Sequence, residues 1–140
     1  MQVFETDSPA ATEAVGAQLA GRLEPGDVVH VLGELGAGKT TLVRGACRAL
    51  GVSGPITSPT FSIAHRYSAV DGPAVAHLDL YRLAGLDGED PDLLADYVGD
   101  DRITFIEWPR GPVDELGRQP RIIVELSHLP DGRRRVEVRG

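Results

Sequence analysis

Cysteine is almost missing from this chain. Cys47 stands alone, so no internal disulfide can form, which fits a reducing compartment. Basic charge is also short: 14 Lys and Arg against 21 Asp and Glu leave a formal charge of −7. That balance argues against a nucleic-acid footprint of the chain's own. The one dense basic cluster, Arg133-Arg134-Arg135, reads as a solvated strand edge. No apolar run is long enough to cross a bilayer, and no basic segment followed by an apolar stretch opens the chain. A cytoplasmic protein without membrane contact is expected. His30, His65 and His128 lack metal-ligand spacing, and there is no Cys cluster or nucleophile elbow. No repeat, low-complexity tract or long linker divides the 140 residues, so residues 1–140 are expected to form a single domain.

Glycine, by contrast, is abundant and placed with purpose. Gly33-Glu34-Leu35-Gly36-Ala37-Gly38-Lys39-Thr40 fits G-x-x-x-x-G-K-[ST], a phosphate-binding loop. Glycines let successive backbone N–H groups turn inward toward phosphate oxygens. Lys39 supplies a mobile point charge for the β- and γ-phosphates, and the Thr40 hydroxyl is a Mg²⁺ ligand by type, with Thr41 beside it. The flanks agree. Pro25-Gly26 marks a turn, and Asp27 to Leu32 is a β-branched, apolar strand. Thr40 to Leu50 reads as a helix with Val43, Ala46, Cys47 and Leu50 on one face, ending at Gly51. Strand, glycine loop and helix follow in the order that aims a helix N-terminus at an anion.

The rest of the chain reads as a mixed sheet. Gln2 to Glu5 is an opening strand, and Ser8 with Pro9 starts a helix running from Ala11 to Leu23. Phe61 to Ser68 and Ala74 to Leu80 form a hairpin through Asp71-Gly72. A short helix is predicted near Leu93 to Val98, then a strand from Ile103 to Trp108. Arg121 to His128 pairs with Arg134 to Arg139 through Pro130-Asp131-Gly132. The expected fold is α/β: a P-loop NTPase-like three-layer sandwich with a mixed parallel and antiparallel sheet.

Hydrolysis would also need a metal-holding acid and a group to place water. Glu107 closes an apolar strand at its carboxyl end, the edge where ligands sit in open α/β sheets. It reads as a Mg²⁺ acid opposite Thr40, or else as an exposed strand-end glutamate. His77 and Asp79 share one strand face by period two. Asp79 is a second candidate acid or a surface carboxylate; His77 reads as a structural hydrogen-bonding partner. Ser58-Pro59-Thr60 suits a γ-phosphate-sensing loop, although an ordinary Ser/Pro loop fits residue types better. Trp108 packs either near a nucleotide or in the core. Arg44, Arg66, Arg82 and Arg110 are all candidates for an arginine finger, and none is singled out.

Together these segments resemble the TsaE (YjeE) family of bacterial P-loop ATPases. The carrying residues are Gly33 to Thr41, Ser58-Pro59-Thr60-Phe61, His77-Leu78-Asp79-Leu80-Tyr81-Arg82-Leu83 and Ile106-Glu107-Trp108-Pro109. The resemblance implies a role in making threonylcarbamoyladenosine, the modified base beside the anticodon of tRNAs reading A-starting codons. It implies ATP as substrate, Mg²⁺ as cofactor, and an ATPase switched on by the TsaD–TsaB pair, with tRNA met only indirectly. It implies that the loop amides from Gly33 to Thr41 and Lys39 hold phosphates, and that Thr40 and Glu107 hold Mg²⁺. Asp79 would act at the water or metal, with Lys39 as the other catalytic group. Ser58, Pro59, Thr60 and Phe61 would form a switch-like loop, with Trp108 near the nucleotide. Adenine contacts would lie near the first helix and the C-terminal hairpin. Leu86 to Leu93, with Pro91 at an expected helix start, departs from the family pattern. Residue types leave two other readings: a small-molecule kinase of nucleoside type, although the chain has no Arg-rich lid, and a non-hydrolysing, nucleotide-dependent binding module.

Overall fold

One side chain starts the first helix. Ser8 Oγ accepts the Ala11 amide at 3.1 Å and Pro9 takes the first helical position. Helix α1 (Pro9–Ala20) therefore begins before Ala11, directly after strand β1 (Gln2–Thr6). It stops at the Gly21 cap, short of Leu23, where Arg22 and Leu23 amides turn back onto Leu19 and Ala20. The computed structural model describes residues 1–34, 36–54, 56, 64–69, 72–79, 98–108 and 120–140, with backbone alone at 64, 79 and 108. Strand β2 (Val28–Gly33) leads into α2 (Lys39–Ala49). At the end of α2, Gly51 and Val52 donate to the Arg48 and Cys47 carbonyls at 3.1 and 3.0 Å, closing the helix where the glycine predicts it. The remaining strands are β3 (Ala64–Tyr67), β4 (Ala74–Asp79), β5 (Arg102–Trp108), β6 (Ile122–His128) and β7 (Arg134–Arg139). The short helix predicted near Leu93 falls mostly outside the described residues.

The seven strands form one sheet in the order β1-β7-β6-β2-β5-β4-β3. β2 runs parallel to both its neighbours, β5 and β6, and β4 runs parallel to β5. Both predicted hairpins, β3–β4 and β6–β7, are antiparallel, and β1 adds to β7 antiparallel. The fold is thus α/β with the mixed sheet that the hairpins demand. β7 lies between β1 and β6, so the arginine run at its start is not on a sheet edge. Arg133 and Arg135 are still exposed and pair with Glu5, Asp131 and Glu137. Such pairs add little stability.

Period-two alternation sorts the central strands into two buried faces. On the first, Val29, Val31, Val75, Ile103, Phe105, Ile122 and Val124 join Val15, Leu19, Leu42, Val43 and Ala46 of the helices in one cluster. Each fully buried side chain of Leu, Ile or Phe size contributes ~1.5–3 kcal/mol. Cys47 belongs to this cluster, and burial pushes its thiol up to about 12, so it is a packing residue and not a nucleophile.

The second face carries His30, Ala76, Leu78, Thr104 and Ile106, all buried. His30 has Ile106 and Ile123 as its register partners. Desolvation lowers its pKa from 6.5 to about 4. The folded chain therefore refuses a proton that the unfolded chain accepts as pH falls below 6.5. Stability is full above that value and declines by up to about 3 kcal/mol as pH falls to 4. Urea titrations across this range should give a flatter stability curve for His30→Leu than for the natural chain. Equal slopes would rule out His30 as the source.

Candidate functional site

Between β2 and α2 the chain must reverse while staying close to β6. Gly33 has φ 148°, and a Cβ there would lie 2.5 Å from the Leu126 carbonyl oxygen. Gly38 precedes α2 with φ 103°, a left-handed conformation that costs other residues strain. As a glycine it has no side chain with which to cap the helix, and no acid lies in the first turn. The positive end of α2 thus faces the loop it closes.

Lys39 folds back across the loop. Its Nζ donates to the Gly33 and Glu34 carbonyls at 2.7 and 2.9 Å while only 6% of the residue is exposed. Carbonyl oxygens satisfy the ammonium there, and they are weaker partners than a phosphate would be. Next to it, Thr40 Oγ1 donates to Glu107 Oε1 at 3.3 Å. Glu107 is 2% exposed, so the exposed strand-end alternative does not hold for it. Parallel pairing explains the meeting: Glu107 is the register partner of Val31, two residues before the loop. On its other side, Glu107 pairs in register with Asp79, and Trp108 pairs with Leu32. The backbones of Asp79 and Trp108 therefore reach the same sheet end as the loop. His77 is fully buried, with Nε2 3.5 Å from Glu107 Oε2.

A cavity of about 200 Å³ opens beside the loop, lined by Thr6, Ser8, Thr12, Gly36, Thr41 and Arg134 among others. Arg134 donates to the Gly132 carbonyl at 2.8 Å and reaches the Gly36 carbonyl at 3.5 Å. Thr6 and Thr12 share a 2.8 Å hydroxyl–hydroxyl bond in its wall. Of the residues singled out from sequence, the structure gathers Gly33, Glu34, Gly36, Ala37, Gly38, Lys39, Thr40, Thr41 and Glu107, with Asp79 and Trp108 by backbone position. Leu35, Ser58, Pro59, Thr60 and Phe61 lie outside the described residues, as do Arg82, Arg110 and the Leu86 to Leu93 segment.

Arg44 is tied elsewhere, donating to the Ile56 carbonyl at 3.2 Å and lying 3.7 Å from Glu13. Arg66 is exposed on β3, an outer strand of the sheet. The first helix and the C-terminal hairpin are expected near the site, but Thr6, Ser8, Thr12 and Arg134 are not singled out there by sequence. The cap at Ser8 and the arginine run each had a sufficient local reading, and only the placement of β7 beside β1 brings them to the loop. Among the described residues no group of three or more His, Cys, Asp or Glu gathers for a metal. A hard cation held mainly by phosphate and water oxygens does not need one.

The fold and the loop define a class: an α/β protein in which a glycine turn, a buried lysine and a helix N-terminus meet at one end of a mixed sheet. The family model described as "Threonylcarbamoyl adenosine biosynthesis protein TsaE" matches residues 6–136. The chain belongs to the TsaE family. It is 48% identical over 103 residues to the tRNA threonylcarbamoyladenosine biosynthesis protein TsaE of Streptomyces coelicolor, spanning 73% of this chain and 70% of that one. It is 33% identical over 135 residues to the Bacillus subtilis protein of the same name, spanning 95% and 82%. A crystal structure of Bacillus subtilis YdiB superposes with TM-score 0.71 at 28% identity, covering 96% of this chain and 82% of that one.

Proposed function

We infer that this chain binds and hydrolyses ATP with Mg²⁺ in the cytoplasm, in support of threonylcarbamoyladenosine formation on tRNA, and that the TsaD–TsaB pair activates it. The observation that carries the reading is the pairing of Thr40 with the buried Glu107 carboxylate beside a lysine folded over its own glycine loop. A hydroxyl and a carboxylate oxygen at a phosphate loop are the donor types that Mg²⁺ prefers, so the residues fit the ion. When bound, Mg²⁺ neutralises charge on the β- and γ-phosphates. Thr40 and Glu107 would hold it.

Lys39 exchanges its two carbonyl partners for phosphate oxygens, while the amides of the α2 N-terminus point at the same anion. The Thr6–Thr12 cavity takes the nucleoside end, with Arg134 at its rim. Asp79, at the adjoining strand end, orients the attacking water. Arg44 is tied to the Ile56 carbonyl and lies by Glu13, and Arg134 reaches the Gly36 carbonyl at the rim of the loop, so neither is placed as a finger at the γ-phosphate end. An arginine finger adds ~10³–10⁵ in rate, so slow turnover alone and faster turnover in the complex follow. The net charge of −7 supports contact with tRNA through the partners and not by this chain directly.

ATP hydrolysis measured for the chain alone and with TsaD–TsaB tests this. Stimulation of at least ~10-fold is expected. Absence of stimulation would sink the partner-activated mechanism. Stoichiometric phosphoryl transfer to a metabolite would put the kinase reading ahead, and nucleotide-dependent partner binding without turnover would favour the binding module.

A further inference from the structure

Glu107 meets a different group at each carboxylate oxygen. Oε1 accepts from Thr40, and Oε2 faces His77 Nε2 at 3.5 Å. On that face Glu107 has Val31 and Asp79 as its register partners, and His77 has Phe105 and His65. His77 is completely buried, and among the described residues neither of its ring nitrogens has a hydrogen-bond partner. Polar groups buried in this way without function are rare, because desolvation is not repaid. The ring lies against Oε2, away from the oxygen that meets Thr40.

The geometry points to His77 as a positioning residue that holds the Glu107 carboxylate in the orientation that presents Oε1 to Thr40 and to a divalent cation beside it. This rests on the Mg·ATP reading of the site. A carboxylate turns about its last torsion with only a broad, two-fold preference. Thr40 restrains one oxygen weakly, at 3.3 Å. An imidazole N–H 3.5 Å behind the other oxygen restrains that rotation. Groups placed in this way behind a metal-binding oxygen set metal affinity without touching the metal.

Mn²⁺ binding to the ADP-loaded full chain, followed by electron paramagnetic resonance, is the direct test. Parallel calorimetry of ADP in EDTA reads nucleotide binding alone. For His77→Leu, Mn²⁺ affinity should fall ~10–100-fold. ADP affinity in EDTA should stay within about twofold of the natural chain. His77→Gln, whose amide N–H reaches as far as the imidazole, should recover most of the Mn²⁺ affinity, and the shorter His77→Asn should not. A buried histidine with a packing role alone would lower the melting temperature of all three variants without separating metal from nucleotide affinity.

Natural Mn²⁺ affinity in His77→Leu would overturn the assignment. Should that variant fail to fold, equal Mn²⁺ affinities for His77→Gln and His77→Asn would overturn it instead. If the natural chain itself binds ADP without any dependence on Mn²⁺, the metal-site reading falls and the positioning role falls with it.

Discussion

Lys39→Ala should abolish useful nucleotide binding, lowering ATP affinity and turnover by at least ~100-fold. The ammonium is buried and bound to the Gly33 and Glu34 carbonyls, so it already stands at the mouth of the loop. On the proposed reading, the ammonium exchanges those carbonyls for the oxygens of an incoming phosphate. Lys39→Arg should fail nearly as badly. A planar guanidinium on a longer stem does not fit between two carbonyls 2.7 and 2.9 Å from a single nitrogen. Equilibrium titration of ATP, with a thermal melt of each variant to confirm folding, checks both. Binding by Lys39→Ala within about threefold of the natural chain would remove the loop lysine from the site.

The second large effect concerns folding. Helices α1 and α2 cross with two glycines in the contact. A Cβ on Gly45 would lie 2.0 Å from the Glu13 carbonyl oxygen and 2.6 Å from its Cα. A Cβ on Gly16 would lie 2.0 Å from the Leu42 carbonyl oxygen. These neighbours are backbone atoms, so no rotamer change can relieve the clash. Gly45→Ala should destabilise by upward of ~3 kcal/mol and lower the melting temperature by about 10 °C. The sign is the decisive part. Alanine in a helix is favoured over glycine by ~0.5–1 kcal/mol, so a non-packing glycine would give a more stable variant. An unchanged or raised melting temperature would show that the helices separate cheaply. The crossing also shapes the cavity, because Ser8 and Thr12 of the α1 segment line it beside Gly36 and Thr41 of the loop and α2.

These two expectations differ in how they could have been found. Lys39 is legible in a pattern of eight residues, since the loop's chemistry is local. Gly16 and Gly45 each look like a mild helix defect when read alone. Their reason is the backbone of Leu42 for Gly16 and of Glu13 for Gly45, far along the chain and closer in space than a side chain allows. The same holds at the site. Glu107 could be marked as a strand-end acid, but its burial and its bond to Thr40 depend on β2 and β5 running parallel in one particular register. Arg134 could be seen only as one of three arginines until β7 was placed between β1 and β6.

The sequence by itself determined the glycine loop from Gly33 to Thr40, the strand and helix flanking it, both hairpins and the strand-end position of Glu107. Backbone turns, side-chain period and helix caps are encoded over a few residues, so a linear reading recovers them. Only the tertiary structure decided which strands became neighbours, how closely α1 and α2 approach, and which groups meet the Glu107 carboxylate. Those outcomes come from burying apolar faces against distant parts of the chain, and burial is non-directional. The carboxylate acquired Thr40 and His77 as neighbours through that packing, although all three residues could be named beforehand.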